Sequence, residues 1–439
     1  MNTPSFLHPR DEILQAMERI YRYRMTTTSG GNLSLREPNG DIWITPARVD
    51  KGSLGRADIV LVHTDGTVEG KHPPSSELPL HQAIYRTRPE VHGIVHAHPV
   101  ALVAFSLVRQ VPNTRLFHQA WQVCGEPGFA PYALPGTAAL GASVAGAFAE
   151  GHDCVILENH GVVTAGENLQ QAFRRFETFE FTGKTIIKAH LLAKDPQTRL
   201  PGNNVRYLSD AEIELGARPR TLPTFRRDEV SSVERELRGQ VRDFVHRAYR
   251  LRLFISTQGS FSARLAGGSF VITPSQVDRE RLAAEDLALV MMGRAEAGST
   301  PSRAAGLHDA IYRLHPHVGA IINAYPVNAT AFSVTGTVVE TRTIPESYVV
   351  VRKPGVATYA MQFEDPEAMA ALISPTQPAL IVENGGVLVT GRDVLEAYDR
   401  LEVLESTAEA IINSRALGPM APMPDHVIEE LEAAFFPKG

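Results

Sequence analysis

The sequence predicts an α/β sandwich built twice in tandem, each copy around a largely antiparallel or mixed central sheet. Two observations carry this. The 439-residue chain repeats itself once over about half its length, and within each copy hairpin-like alternation interleaves with helical periodicity. The repeat is direct. Gly30 to Asp50 (GGNLSLREPNGDIWITPARVD) is echoed by Gln258 to Asp278, His81 to Ser106 by His308 to Ser333, and Cys154 to Glu180 by Ala379 to Glu405, at offsets of 228, 227 and 225 residues. Three collinear matches at a nearly constant offset mark a tandem duplication. The boundaries read as a first domain over 1–193, a linker rich in Pro, Asn, Arg and Asp over 194–227, and a second domain over 228–439.

The elements follow in order. DEILQAMERIYRYR is an amphipathic helix with Ile13, Met17 and Ile20 on one face. NLSLRE and DIWITPA are strands joined by an Asn39-Gly40 turn, and DIVLVHTDGTVEG carries a second turn at Asp65-Gly66. SSELPLHQAIYRTRP reads as a helix capped by Ser75 or Ser76 with Glu77 in its first turn. GIVHAH is a strand, VALVAFSLV a helix, CVILENHGVVTAG a strand pair about a tight turn, and NLQQAF through HLLA a long helix with Leu169, Phe173, Phe176 and Phe179 at helical spacing. In the linker, SDAEIELGA is a short helix that Ser209 can cap.

Composition excludes several classes. Hydrophobic residues make up 43% and charged residues 21%, as in an ordinary globular protein, so either half can bury a core. A formal net charge of -6 gives no basic field for nucleic acid. Two cysteines, Cys124 and Cys154, make no disulfide framework. A reducing cytoplasm is therefore the simplest expected location, and the N-terminus shows neither the basic nor the apolar region of a signal peptide. The most apolar stretch, His92 to Val108, is shorter than the roughly 20 residues of a membrane span and carries three histidines.

Four residues carry candidate chemistry. His96 and His98 are two apart on a strand, which puts both rings on one face, and such a pair can hold a metal. The competing reading is two buried, hydrogen-bonded histidines. His160 stands at the turn of ENHG, where it is otherwise an ordinary turn histidine, and Glu77 is otherwise a capping acid. The repeat tests these readings. Opposite His96, His98, His160 and Glu77 the second copy has Asn323, Tyr325, Gly385 and Ala304, while the flanking apolar and turn residues persist. Packing or capping roles have no reason to vanish as a set; a shared function does.

SGGNLSLR, WITPARVDKG, HPPSSELPLHQAIYRTRPEVHGIVHAHP and ENHGVV together resemble the class II aldolase/adducin family, strongly over 11–193 and weakly over 230–415. The resemblance implies a three-layer α/β/α domain. It implies His96, His98 and His160 as ligands of a catalytic divalent metal, usually zinc, and Glu77 as general acid/base. Gly30, Gly31, Asn32, Thr45, Ser75 and Ser76 would hold a substrate phosphate, for which glycine-turn amides and hydroxyls are suited. A three-histidine zinc keeps an open position and acts as a Lewis acid, so the implied activity is retro-aldol cleavage of a ketose phosphate or related hydroxy-ketone through a zinc-stabilised enediolate, Glu77 moving the proton.

The chain departs from the family pattern in three places. Ala47-Arg48 stands where many aldolases have Ser-Gly or Thr-Gly; Arg48 is either a bidentate partner for phosphate or carboxylate or a surface arginine. Phe117 lies near an expected tyrosine, leaving His118 as an auxiliary candidate. Glu77, where the related 4-epimerases carry aspartate, favours a lyase. A metal-dependent decarboxylase or dehydratase on the same scaffold is the alternative, which Arg48 reading a carboxylate favours; a non-catalytic adducin-like binding module is the third. The degenerate copy is expected to be structural, in a homodimer arranged as a pseudo-four-fold ring. Arg303 and Tyr325 either lend a function there or fill the vacated pocket.

Overall fold

The computed structural model describes residues 7–193 and 204–436, so 194–203 of the expected linker lie outside the described residues. It divides into two compact units. The first comprises 1–114 and 120–184; the second comprises 115–119 and 185–439.

The first unit opens with α1 (Pro9–Arg22). It begins two residues before the expected start because Pro9 fits the first helical position and the His8 ring accepts from Arg10 N at 3.1 Å. There follow β1 (Asn32–Arg36), β2 (Ile42–Ile44), β3 (Val60–Val62), β4 (Val68–Glu69), α2 (Leu78–Thr87), β5 (Gly93–Ala97), α3 (Val100–Leu107) and α4 (His118–Cys124), whose residues 118–119 are counted with the second unit. The unit closes with β6 (Gly128–Ala130), α5 (Ala138–Ala149), β7 (Cys154–Leu157), β8 (Gly161–Gly166) and residues 169–184 of α6 (Leu169–Ala193). The hairpin turns fall at Gly40 and Gly66, both at positive φ. The elements between Gln110 and Gly151 carry little periodic signal in sequence. The strand β6 has three residues, and α5 (AALGASVAGAFA) is apolar on every side, although Thr137 caps it.

The sheet runs β4-β3-β2-β1-β5-β8-β7-β6, antiparallel except for β6 beside β7. Alternation along each strand feeds two separate cores. Leu33, Val95, Ala97 and Ile156 pack with α1 and α6, while Ile94, Val155, Leu157 and Val163 pack with α2 and α5. Helices therefore cover both faces, giving the three layers that the family resemblance implied.

The second unit carries α7 (Asp210–Ala217), β9 (Thr224–Phe225), α8 (Ser232–Arg250), β10 (Ser260–Arg264), β11 (Ser269–Ile272), β12 (Ala288–Met291), β13 (Arg294–Glu296), α9 (Ala305–Leu314) and β14 (Ala320–Ala324). It continues with α10 (Val327–Thr335), α11 (Pro345–Val350), β15 (Gly355–Ala357), α12 (Met361–Glu364), α13 (Pro366–Ala371), β16 (Ala379–Val382), β17 (Gly386–Gly391), α14 (Val394–Ser414) and α15 (Asp425–Phe435). Its sheet, β15-β16-β17-β14-β10-β11-β12-β13-β9, repeats the first with one added edge strand. The expected cap of α7 is present, Ser209 and Glu212 forming a reciprocal capping box. Both units bury a glutamate of the long helix at the same place. In the second, Glu405 accepts from Asn328 N at 3.0 Å and Ala329 N at 2.8 Å, at the start of α10. In the first, Glu180 takes the amides of Ala101 and Leu102 at the start of α3. No helix among the described residues is long and apolar enough to cross a membrane.

Candidate metal centre

The strand β5 lies between β1 and β8 in the middle of the sheet, with His96 inside it, on the same side as Ile94 and so towards α2 and α5, and His98 one residue beyond its end. Three local constraints bring the other groups to them. The β7–β8 turn lifts His160, with Asn159 at φ 52°. Gly161 has to be glycine because a Cβ there would lie 2.6 Å from both Ala97 O and the His98 ring. Gly31, at φ +73°, passes over the same strand, and a Cβ there would come within 2.9 Å of His96 O. Gly31 is therefore required by the backbone's approach to His96, whereas a Cβ on Gly30 would meet side chains, Thr27 Oγ1 at 2.7 Å and His98 Nδ1 at 3.0 Å.

Glu77 corrects one sequence expectation. The helix α2 starts at Leu78, one residue after Glu77, and no side chain caps it. Ser75 supplies its carbonyl to Leu78 N at 3.0 Å and its hydroxyl to Glu77 N at 3.3 Å, which frees the Glu77 carboxylate to turn inward. Its Oε2 lies 2.9 Å from His96 Nε2 and its Oε1 3.4 Å from His160 Nε2. His98 Nε2 is 3.2 Å from His96 Nε2, and the three rings stand 4.9–5.0 Å apart in a near-equilateral triangle.

These groups fit a divalent cation. His96 Nδ1 donates to Val162 O at 3.0 Å, which fixes the ring and aims Nε2 at the cluster. Ligand atoms of His96, His98 and His160 all lie within 4.8 Å of one another. With metal–nitrogen bonds of 2.0–2.1 Å, a tetrahedron has edges of about 3.3 Å, close to the His96–His98 spacing. Burial, then the His96 charge, pushes His98 down to about 3 and His160 down to about 4, so both present lone pairs at neutral pH. As the side chains stand, Glu77 and His96 form a buried ion pair. Burial pushes the carboxyl up, but the charges of His96, His160 and His81 and the His96 bond outweigh it and hold it well below the usual range. Burial likewise lowers His96, and the Glu77 charge outweighs that and raises it.

The remaining expected residues fall into three groups. Asn32 and Ser75 are close to the cluster. Asn32 pairs directly across the ladder from His96, and both Asn32 and Ser75 are buried. Thr45 is buried beneath them; its hydroxyl accepts from Leu33 N at 3.2 Å and its carbonyl from Ser75 N at 3.1 Å. Thr273 makes the same two bonds in the second unit, to Phe261 N at 3.1 Å and Ser302 N at 3.0 Å, so this geometry pins a strand to a turn in both copies. Ser76 and Arg48 are exposed, Arg48 at φ 57° with no ion pair among the described residues. His118 stands in the second unit, its Nε2 3.2 Å from Arg303 Nη1; burial and the Arg303 and Arg220 charges push it down to about 4. Tyr325, opposite His98 in the repeat, stacks on Phe117 with centroids 5.3 Å apart, also within the second unit.

The sequence reading missed one buried chain of hydrogen bonds. His81 Nε2 lies 2.5 Å from Asn32 Oδ1, His81 Nδ1 2.6 Å from Ser34 Oγ, and Ser34 Oγ 2.7 Å from Tyr85 Oη. The polarity follows from the amide oxygen: His81 Nε2–H donates to Asn32, Ser34 donates to His81 Nδ1, and Tyr85 donates to Ser34. The Asn32 amide therefore keeps its N–H groups for the site. The second unit holds the same chain, His308 to Asn323 at 2.6 Å, to Ser262 at 2.6 Å, and on to Tyr312 at 2.8 Å. There the asparagine comes from the neighbouring strand. At the cross-strand pair where the first unit has Asn32 and His96, the second has Ser260 and Asn323. The retained Ser, His and Tyr were visible in NLS/SFS and HQAIY/HDAIY, but only the sheet register shows what they share.

The sequence model of the class II aldolase and adducin N-terminal domain matches residues 11–187 and again 240–412, and the chain belongs to this family. An L-fuculose phosphate aldolase of Methanococcus vannielii is 32% identical over 179 residues, 39% of this chain and 92% of that protein. A 3-oxo-tetronate 4-phosphate decarboxylase of Escherichia coli (strain K12) is 29% identical over 208 residues, 46% of this chain and 92% of that protein. Among solved structures, an L-fuculose 1-phosphate aldolase is 30% identical with a TM-score of 0.41, covering 48% of this chain and 94% of its own.

Proposed function

We propose that the first unit is a metal-dependent lyase that cleaves a carbon–carbon bond next to a carbonyl in a ketose phosphate or related hydroxy-ketone. The observation that carries this is the convergence of His96, His98 and His160 with a buried carboxylate at 2.9 and 3.4 Å. The aldolase and decarboxylase relatives support it. The three histidines would hold the ion, zinc by the donor set, and when bound it supplies Lewis-acid polarisation of a carbonyl.

The chain's own groups do the rest. Glu77, walled by His96 and His160, takes the proton from the hydroxyl whose carbon leaves as an aldehyde and returns a proton to the carbon left behind. Asn32, its oxygen held by His81, offers only N–H donors, which suits an anionic group. Ser75, Ser76 and the amides of Gly30 and Gly31 add donors around it. The second unit, with Asn323, Tyr325, Gly385 and Ala304 at the matching positions, is structural.

Elemental analysis of the purified protein tests the reading: one divalent ion per chain, lost in His160→Ala, followed by aldehyde release from a panel of ketose phosphates. No bound ion after zinc is added back would overturn it. Decarboxylation is the second reading, favoured by the Escherichia coli relative and by the exposed Arg48, which has no ion pair among the described residues and suits a substrate carboxylate. Carbon dioxide release, lost in Arg48→Gln, would select it.

A further inference from the structure

Where the first unit gathers lone pairs for a cation, the second unit gathers positive charge. Ala304 stands in the place of Glu77, and beside it Arg303 stands in the place of Ser76. Arg303 Nη1 lies 3.2 Å from His118 Nε2 and donates to Gly216 O at 2.5 Å. Arg220 lies over the Phe363 ring, its guanidinium carbon 4.2 Å from the centroid, and Tyr359 packs edge-on against the same ring at 5.0 Å. Both guanidiniums act on His118 and Tyr359; burial, then the Arg303 charge, pushes Arg220 down. Neither arginine pairs with a carboxylate among the described residues. Glu212, which also acts on Tyr359, is held by Arg206 and by Ser209 N and Oγ, both at 2.9 Å. Two like charges therefore oppose each other in a partly buried place with nothing to offset them.

Two buried donors stand with this pair. A guanidinium only donates, so His118 Nε2 accepts from Arg303 and the ring hydrogen is on Nδ1. His118 Nδ1 and Tyr359 Oη have no hydrogen-bond partner in the protein, and each side chain is 2% exposed. Buried polar groups in folded proteins are nearly always paired, so two orphans in one place point to a ligand. They flank a single point. A Cβ on Gly216 would lie 2.4 Å from Tyr359 Oη and 2.5 Å from His118 Nδ1. The two atoms are therefore within about 5 Å of each other, near enough for one oxygen at ordinary hydrogen-bond length to accept from both.

We propose that Arg303, Arg220, His118 and Tyr359 form an anion site within the second unit, which binds the phosphate group of a small molecule. All four groups are donors: two guanidiniums, one N–H and one O–H. Gly216 O and His118 Nε2 hold Arg303 in place and leave the rest of its fork free. A phosphate dianion balances the two guanidiniums, and its oxygens match their planar forks in pairs while one oxygen takes both orphaned donors. A carboxylate brings one charge and two oxygens, too few for four donor groups. A metal cation is repelled by the charges that attract the anion. The second unit, which lacks the metal ligands, thus gains a binding role that takes no part in bond breaking. The inference does not depend on the metal or the reaction of the first unit.

Inorganic phosphate is the probe, titrated into the full chain by calorimetry and followed in thermal unfolding, against sodium chloride of equal ionic strength. Phosphate is expected to bind, and to raise the unfolding temperature by about 5 °C at roughly 100 times its Kd. Arg303→Gln, Arg220→Gln and Tyr359→Phe are each expected to weaken phosphate about ten-fold. Without phosphate, Arg220→Gln and Tyr359→Phe are expected to unfold no lower than the wild type, since one removes a like charge and the other a hydroxyl with no partner. Ser75→Ala, in the first unit, is expected to leave this binding unchanged. Phosphate that stabilises no more than chloride, or that binds the wild type and the three second-unit variants alike, would overturn the proposal. So would binding lost in Ser75→Ala and kept in the second-unit variants, or a lower unfolding temperature of Arg220→Gln and Tyr359→Phe without phosphate, which marks a structural role.

Discussion

Asn32→Ser should destabilise the first unit, and His96→Asn should repair it. The experiment is best done in the Glu77→Ala background, which copies Ala304 and removes the buried carboxylate that His96 otherwise pairs with. In that background Asn32→Ser takes the acceptor from His81 Nε2, and His81 is 0% exposed, so the donor has no water to turn to. Leaving a buried donor unsatisfied costs about 1–3 kcal/mol, and a domain of this size loses about 2–4 °C per kcal/mol. A drop on the order of 5 °C is therefore expected in thermal unfolding of the chelator-treated protein. Adding His96→Asn rebuilds the second unit's arrangement, where Asn323 reaches His308 from the neighbouring strand at 2.6 Å, and most of that loss should return. The coupling energy from the double-mutant cycle should be about 1–3 kcal/mol and favourable. Strictly additive losses would refute the claim that the asparagine exchange between Asn32 and Asn323 preserves one hydrogen bond.

Three further outcomes follow from the same structure. Gly31→Ala is expected to cost about 1–2 kcal/mol for the left-handed backbone alone, and to lower metal content because its Cβ presses on the His96 carbonyl; unchanged metal content would refute that link. Thr45→Val and Thr273→Val are expected to cost a similar ~1 kcal/mol, measured by denaturant unfolding, because each removes one hydroxyl–amide bond of the same kind. A much larger cost at one of them would show that the two hydroxyls do different structural work. Burial pushes His308 from its ordinary 6.5 down to about 4, the Asn323 bond opposing only in part. Between these values the unfolded chain takes up a proton that the folded chain refuses, so stability should fall as pH drops from about 6.5 toward 4, by up to ~3 kcal/mol. His308→Gln should flatten that slope, and an unchanged slope would place the acid sensitivity elsewhere.

The sequence by itself determined the repeat, the order of hairpins and helices in each copy, and the H-x-H pair. These depend on periodicity along the chain, and period 2 alone puts His96 and His98 on one side. It also isolated Glu77 and His160, because the second copy lost all four residues together. Other features lay beyond any local pattern. A capping acid and an inward-turned acid look alike in PSSELPLH; only the Ser75 bonds to Glu77 N and Leu78 N leave the carboxylate free for His96. The exchange of Asn32 for Asn323 is a relation between neighbouring strands, and strand register is fixed by tertiary pairing rather than by either strand's sequence. The assignment of His118 to the second unit has the same cause. Arg115–Gln119 lies inside the first repeat in sequence, but its hydrogen bonds and stacking are made with Asn384, Arg303 and Tyr325, groups more than 180 residues further along the chain.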